Sequence, residues 1–212
     1  KTTVTTLVRD MLGASGVAAV DAGNTEVPLV EAIDDPATEV FVVEASSFRL
    51  APLRRFAPRA AAWLNFAPDH QDVHRDLAGY EAAKANVWRG FGPDRLAVAN
   101  RDDPVVARHA AALPRVETFG LDAPGTPGAH WFVDGGTIVT PEGEALAPTA
   151  VLRRSRPHDL ANAMAAAATA RFVGARADGI VAALGAFEGL AHRVERVGER
   201  DGVAWYDDSK AT

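Results

Sequence analysis

The segment that decides the fold class is VFVVEASS, residues 40–47. Its first four residues are all apolar and three of them are valine, which is typical of a strand that is covered on both faces. Glu44 and two serines follow directly after it. Because ligands bind beyond the carboxyl ends of the strands in open α/β sheets, the polar end of this segment is predicted to lie in a site.

Similar short apolar runs recur along the first half of the chain and alternate with segments of helical periodicity. The runs are residues 17–20, 60–64 and 96–99, and the helical segments are residues 2–12, 80–89 and 104–113. Strands that alternate with helices are typical of a parallel sheet. We therefore predict an α/β fold with a mostly parallel sheet flanked by helices.

The second half of the chain has a different pattern. Between residues 122 and 156, short strand-like runs are separated by glycine and proline turns, which predicts an antiparallel extension of the sheet. Two helices follow, the first of them rich in alanine. The runs are residues 131–133 and 137–139, and the helices are residues 158–172 and 178–187.

The end of the chain predicts a β-hairpin. Residues 194–197 and 203–206 flank Asp201-Gly202, a dipeptide that favours a tight turn between two strands. We interpret residues 189–212 as a hinge and the start of a second α/β domain, and residues 1–188 as the first domain.

Composition limits the class of protein. The chain has 212 residues, of which 48% are apolar, enough for a sizeable core. The absence of cysteine excludes disulfides and thiolate metal sites. A net charge of -6 argues against a nucleic-acid binder, and no apolar run reaches the roughly 18 residues of a membrane span. We expect a cytoplasmic protein without nucleic-acid partners.

The chain opens on Lys1-Thr2-Thr3, whose first two residues match the end of the phosphate-loop pattern G-x-x-x-x-G-K-[ST]. In that pattern the lysine reaches the phosphates and the hydroxyl binds Mg²⁺. The glycines are not in the sequence, so we expect a piece of a longer protein, and an ordinary helix start stays an alternative. Glu44 would stand beside such a loop as a metal contact, or face solvent as an ordinary strand-end acid.

A second group of candidate ligands lies in residues 65–74. Its His and Asp side chains are dense enough for a metal site, although a solvated loop or the site of a metal-dependent phosphohydrolase would use the same residue types. The four side chains are Asp69, His70, Asp72 and His74.

The other motifs consist of polar residues that could also have an ordinary structural role. Lys84, on the helix of residues 80–89, is by default a surface lysine. Asp159 and Asn162 suit the first turn of a helix. Near the end of the chain, His192 and Arg193 could clamp a phosphate, and Asp208, Ser209 and Lys210 offer an acid, a hydroxyl and an ammonium at a strand end.

In this order, the motifs resemble those of the Mur ligase family, over nearly the whole chain. They are Lys1-Thr2-Thr3, DAGN at 21–24, EASSF at 44–48, residues 65–72, residues 80–84, HDLAN at 158–162, GLAHRVE at 189–195 and DSKAT at 208–212. Within the family, EASSF, the hinge and DSKAT look most like the ligases that add D-glutamate.

The resemblance implies an ATP-dependent amide ligase of peptidoglycan precursor synthesis. Such an enzyme joins D-glutamate to UDP-N-acetylmuramoyl-L-alanine through an acyl phosphate, and we expect a monomer at full length. Residues 1–188 would be the central ATP-binding domain without its first strand, and residues 189–212 the start of the amino-acid-binding domain. The alternatives are a sister ligase, a folylpolyglutamate synthase-like ligase, the phosphohydrolase named above and a nucleotide-binding module without catalysis.

The resemblance also implies roles for single residues. Lys1, Thr2 and Thr3 would bind the phosphates of ATP. The ligands of two Mg²⁺ ions would be Thr2, Glu44, His70 and Lys84, the last as its carbamate, which turns an ammonium into an oxygen ligand.

The other implied roles concern substrates, nucleotide and catalysis. The residues that bind substrate would be Asn24, Ser46, His70 and Thr212. Asn162, Arg193 and Asp208 would lie near the nucleotide. Catalysis would use Lys84, His70, His192 and Lys210, with the last two reaching the intermediate when the domains close.

Three positions depart from the pattern of the family, namely Arg49, Asp159 and Ala191. An aspartate beside nucleotide phosphates would repel them, which argues against an adenine-side role for Asp159.

Overall fold

The structure, a computed structural model, describes residues 1–25, 27–125 and 128–210. It confirms the predicted α/β class. The helices are α1 (Thr2–Ala14), α2 (Leu29–Ala32), α3 (Ser47–Leu50), α4 (Leu77–Ala85), α5 (Pro104–Ala110), α6 (Pro157–Val173) and α7 (Ala177–Ala186). The strands are β1 (Ala19–Gly23), β2 (Val40–Glu44), β3 (Ala60–Trp63), β4 (Leu96–Asn100), β5 (Val116–Phe119), β6 (His130–Asp134), β7 (Thr137–Val139), β8 (Ala145–Pro148), β9 (Glu195–Arg200) and β10 (Val203–Asp207).

The strands form a mostly parallel arrangement with an antiparallel extension. Strands β3 to β6 pair in parallel, and β7 and β8 continue the same sheet in antiparallel order. Strands β1 and β2 form a second parallel ladder, in which Gly23 lies opposite Glu44. The carboxyl ends of β1 and β2 therefore lie side by side, as parallel strands require.

The core explains why β4 reads as an unbroken apolar run. Leu96 and Val98 belong to the cluster that contains α1 and α6, whereas Ala97 and Ala99 face the cluster around Trp63 and Trp88. All four residues of β4 from Leu96 to Ala99 are fully buried. Both faces of the strand are thus covered, which is the condition that removes the alternation of apolar and polar residues.

Helix α6 packs against α1 and the sheet through very small side chains. Apart from Met164 and the first-turn Asp159, its buried residues are alanines. Alanine lets the backbone of a helix approach its neighbours closely and carries no side-chain entropy to lose. The helix is therefore a central, tightly packed element, in contact with α1, α7 and β3 to β6.

Several helix boundaries differ from the sequence prediction. Helix α1 continues through Gly13 and ends at Ala14, with Ser15 as its C-cap and Gly16, which has a φ of 83°, after it. Helix α4 begins earlier than predicted because Asp76 caps it by accepting a hydrogen bond from Gly79 N at 2.7 Å. A side chain that caps a helix fixes its first turn.

The predicted hairpin is confirmed as β9 and β10. Its turn is Asp201-Gly202, with φ values of 54° and 77°, which suit the right-handed twist of a hairpin. Every residue of β9 is exposed. Among the helices of the described residues, none has the combination of length and apolarity needed to cross a bilayer.

Candidate functional site

The site is built around the ends of β1 and β2. The Asn24 backbone N donates to the carbonyl of Glu44 at 2.8 Å, and its Nδ2 donates to Glu44 Oε1 at 3.2 Å. Gly23 has a φ of 103°, and a Cβ there would lie 2.5 Å from the Glu44 carbonyl oxygen. Only glycine therefore allows the two strand ends to approach so closely.

Glu44 is buried, and its second carboxylate oxygen is unsatisfied. Within the part of the chain that the structure describes, Glu44 Oε2 has no hydrogen-bond partner. A buried carboxylate oxygen without a partner is costly unless a ligand or cation completes it. Oxygen of this kind is the ligand that Mg²⁺ prefers, so Glu44 fits a metal role.

The start of α1 belongs to the same site. Helix α1 contacts both β1 and β2. The charge of Lys1 is among the causes that lower the pKa of Lys84, so these two groups lie near each other, since Coulomb interactions fall with distance. The first backbone N–H groups of α1 are free of intrahelical acceptors, as in any helix that binds an anion at its N-terminus.

An aromatic cluster forms another side of the candidate site. The ring of Phe48 lies 4.8 Å from that of His70 and stacks on His74 at 5.6 Å. The ring of Tyr80 contacts the same two histidines, at 5.9 Å and 5.1 Å. His74 Nε2 lies 2.9 Å from Ser47 Oγ, which ties the segment of residues 65–74 to α3.

Lys84 lies against this cluster. Its Nζ is 5.1 Å from the centre of the Tyr80 ring. The pKa of Lys84 is lowered to about 8, mainly by burial and in part by the charge of Lys1, against the opposing charges of Asp69 and Asp103. A lysine with such a pKa has a neutral, nucleophilic amine at neutral pH far more often than an ordinary lysine. The amine can therefore react with CO₂ to form a carbamate.

The four candidate ligands of residues 65–74 do not converge. His70 Nε2 is 3.4 Å from Asp69 Oδ2, Asp72 is exposed, and His74 is turned towards Ser47. Across the described residues, the group whose His, Asp or Glu ligand atoms lie within 4.8 Å of one another is His192, Glu195 and Asp207. The phosphohydrolase alternative therefore has no preassembled ligand set.

The carboxylate of Asp159 is engaged by neighbouring residues of the chain. Its carboxylate is 9% exposed, lies 3.7 Å from Arg154 Nη2 and 3.4 Å from His158 Nε2, and accepts from Arg156 N at 3.3 Å. Asn162 lies one turn further along α6 and is half-buried.

The end of the chain returns to the start of α1. Arg193 Nη2 donates to Thr2 Oγ1 at 3.4 Å, and Arg193 Nη1 donates to the carbonyl of Lys210 at 2.8 Å. Asp208 Oδ1 accepts from Val194 N at 3.1 Å. Thr2 and Arg193 are thus in direct contact, and Asp208 is bonded to Val194, the residue after Arg193.

The remaining candidates stand as follows. His192 Nδ1 is bonded to Asp207 at 2.6 Å, and Lys210 is exposed. Ser46 accepts from Arg49 N at 3.4 Å as the cap of α3, and Thr3 lines a small cavity beside Arg154. Thr212 lies outside the described residues.

Sequence reasoning missed the contacts of Phe48, Ser47, Tyr80 and Arg154. The first three were part of quoted motifs without a role. Arg154 belongs to no motif, and its contact with the backbone of Arg193 and Val194 is visible only in the structure.

Comparisons with known proteins agree with this geometry. Residues 1–170 match the family model of the Mur ligase middle domain. A UDP-N-acetylmuramoylalanine--D-glutamate ligase of Frankia casuarinae is 44% identical over 216 residues, which cover 100% of this chain and 45% of that protein. The protein of the same name from Methylococcus capsulatus is 41% identical over 215 residues, covering 100% of this chain and 46% of the relative.

Solved structures show the same fold. MurF from Acinetobacter baumannii has a TM-score of 0.73 at 18% sequence identity, and the match covers 98% of this chain and 48% of MurF. The chain thus spans about half the length of the relatives it matches. The family model covers most of the chain, and the fold follows that of solved Mur ligases: the chain belongs to the Mur ligase family.

Proposed function

We propose that this chain is the ATP-binding part of a ligase that adds D-glutamate to UDP-N-acetylmuramoyl-L-alanine. The observation that carries the proposal is the buried Oε2 of Glu44, which has no hydrogen-bond partner in the described part of the chain and lies beside the start of α1. A carboxylate in that position suits a cation, and the helix N-terminus suits a phosphate. The similarity to ligases of this name over the whole chain supports the substrate.

The proposed reaction has two steps. The carboxylate of the muramoyl-alanine attacks the γ-phosphorus of ATP, so that the bond to the β-phosphate oxygen breaks and ADP leaves. The amine of D-glutamate then attacks the carbonyl carbon of the acyl phosphate. The resulting tetrahedral intermediate loses a proton from nitrogen and expels phosphate, which leaves the amide. Positioning and charge neutralisation are the main demands on the protein.

Two Mg²⁺ ions would neutralise the phosphate oxygens during this reaction. Thr2 and Glu44 would hold one of them, and His70 with the carbamate of Lys84 would hold the other. The fit rests on the unpartnered oxygen of Glu44 and on the lowered pKa of Lys84, which favours carbamate formation.

The other residues are assigned by their place around this centre. Lys1 and Thr3 accompany Thr2 at the phosphates, and Asn24 and Ser46 stand at the substrate, where Asn24 already holds Glu44. Asn162 would lie on the nucleotide side of α6. These assignments combine the family resemblance with the proximity of the strand ends.

The last residues would act when the domains close. Arg193 and Asp208 would meet the nucleotide, and His192, Lys210 and Thr212 the intermediate and the glutamate. Closure would exclude water from the acyl phosphate. We place the hinge in residues 189–193, where Ala191 and His192 are exposed rather than enclosed in a core.

The test is amino-acid-dependent phosphate release by the full-length enzyme. With ATP, Mg²⁺ and UDP-N-acetylmuramoyl-L-alanine, D-glutamate should support release, and L-glutamate, L-alanine and diaminopimelate should not. Omitting the muramoyl substrate is the control for plain ATP hydrolysis. Preference for another amino acid would assign the chain to a sister ligase, and release without any amino acid would contradict ligation altogether.

A further inference from the structure

One arginine outside every motif, Arg154, joins the start of α6 to residues 189–194, the linker that leads into the hairpin. Arg154 Nη1 donates to the carbonyl of Arg193 at 3.1 Å and to that of Val194 at 2.9 Å. Its Nη2 lies 3.7 Å from Asp159 Oδ1. A planar guanidinium is suited to such a role because it offers several donors in one rigid plane.

The pairing with Asp159 keeps the guanidinium in place. Asp159 is 9% exposed and Arg154 is 26% exposed, so both charges are largely removed from water. A buried carboxylate needs a compensating cation and hydrogen bonds. Arg154 and the Arg156 backbone N supply them.

The same guanidinium packs against the beginning of the linker. A Cβ at Gly189 would lie 3.1 Å from Arg154 Nη2 and 3.2 Å from its Cζ, and Gly189 has a φ of 104°. The guanidinium therefore contacts the linker at both ends, at Gly189 and at the carbonyls of Arg193 and Val194. Arg154 is therefore one of the side chains that hold residues 189–194 in place, together with Asp208, which accepts from Val194 N.

The residue whose carbonyl Arg154 holds also reaches the start of α1 with its side chain. While Arg154 holds the Arg193 carbonyl, the Arg193 guanidinium reaches Thr2 Oγ1 at 3.4 Å. We propose that Arg154 is a positioning residue, which fixes the linker and thereby places the Arg193 guanidinium at the start of α1. Its effect on catalysis rests on the proposed function, whereas its effect on the linker does not.

Hydrogen exchange on the full-length protein tests the structural part. In Arg154→Ala, the amides of residues 190–196 should exchange at least about tenfold faster, because the segment has lost its anchor. The matched control is Arg153→Ala, whose exposed side chain pairs with Glu188 at 2.8 Å. That variant should keep the wild-type exchange of the linker.

A second variant guards against general unfolding. Arg154→Ala leaves Asp159 without its cation, whereas Arg154→Met/Asp159→Asn removes both charges and still frees the two linker carbonyls. Faster exchange confined to residues 190–196 in this double variant supports the proposal. Wild-type exchange there, in a variant that is folded by circular dichroism, overturns it.

A kinetic cycle tests whether Arg154 acts through Arg193. Arg154→Ala should lower kcat/KM for ATP by up to about 100-fold, the scale of a misplaced catalytic group. Added to Arg193→Ala, it should lower kcat/KM by less than about threefold more, since the group that it positions is gone. Full additivity would overturn the proposal. If the wild-type enzyme is no ligase, the proposed function fails, and the exchange experiment still decides the role of Arg154.

Discussion

At the scale of single residues, the proposed chemistry depends on Glu44 and Lys84. Glu44 is a buried carboxylate with one oxygen unpartnered among the described residues, and Lys84 is a lysine whose pKa is lowered to about 8, mainly by burial. Side chains with a perturbed pKa, such as Lys84, cluster in functional sites. The two therefore give the sharpest tests of the proposed mechanism.

The first test removes Lys84. In the full-length enzyme, Lys84→Ala should lower kcat by about 100-fold or more, because an oxygen ligand of the metal is lost. A short-chain carboxylic acid added at millimolar concentration should restore part of the rate by taking the place of the carbamate. Lys210→Ala would show no such rescue. Unchanged turnover in Lys84→Ala would contradict the carbamate.

The second test concerns pH. The neutral amine is the form that reacts with CO₂, and a pKa of about 8 makes that form half-populated near pH 8 instead of near pH 10.5. With ¹³C-bicarbonate, the carbamate signal of the full-length protein should therefore rise between about pH 7 and pH 9. Lys84→Ala assigns the signal by removing it. A signal that keeps rising steeply beyond about pH 9, with no levelling above about pH 8, would show that the amine keeps its ordinary pKa.

At the scale of secondary-structure elements, Asp103 joins α5 to the segment that carries His70. Its Oδ1 accepts from Val105 N and Val106 N at 3.0 Å, which caps the helix. Its Oδ2 accepts from Phe66 N at 2.6 Å, at the exit of β3. One carboxylate thus satisfies donors of two elements.

Asp103→Ala should lower the free energy of unfolding by about 1–3 kcal/mol, the cost of a lost cap together with an unpaired backbone N–H. The matched control is Asp103→Asn, which keeps an oxygen acceptor and is also a good cap, and it should cost less than Asp103→Ala. Urea denaturation of the 212-residue chain measures both. Equal stability of Asp103→Ala and the wild type would show that the cap is dispensable.

The elements also show how far sequence reasoning reaches. Strands β2, β3 and β4 and the hairpin were predictable because their apolar runs and turn residues are local signals. Strand β5 was missed, since Glu117 interrupts its apolar pattern. That glutamate is accommodated by a hydrogen bond from Trp131 Nε1 at 2.6 Å, a partner 14 residues away.

In the candidate site, too, some features were predictable from the sequence and others were not. Its location at the strand ends followed from the parallel sheet, because the rule concerns topology. The contact of Ser47 with His74 and that of Arg154 with the linker depend on residues 27 and 39 or 40 positions apart. No local pattern encodes such pairs, so they required the structure.

At the scale of the whole molecule, the core and the hairpin differ in how much each stabilises the chain. Trp131 is 0% exposed and Trp205 is 60% exposed. In the 212-residue chain, Trp131→Ala should therefore lower the free energy of unfolding by about 3–5 kcal/mol, and Trp205→Ala by about 0.5 kcal/mol or less. Urea denaturation of the two variants compares the same residue type in both surroundings. Similar losses would mean that the hairpin is part of the core.

The alanine-lined interior of α6 has a consequence for how such a protein can change over generations. An alanine side chain is a single methyl group, so it can hardly be made smaller, and in a close-packed interior even one added methylene lowers stability. Both smaller and larger residues are therefore disfavoured at Ala165 and Ala167, whereas the exposed strand β9 accepts many substitutions. A library of all single substitutions, selected for folded protein, should be nearly empty of larger residues at those two alanines. Over generations, substitutions should therefore accumulate at the surface of the molecule, while the residues of its interior change little.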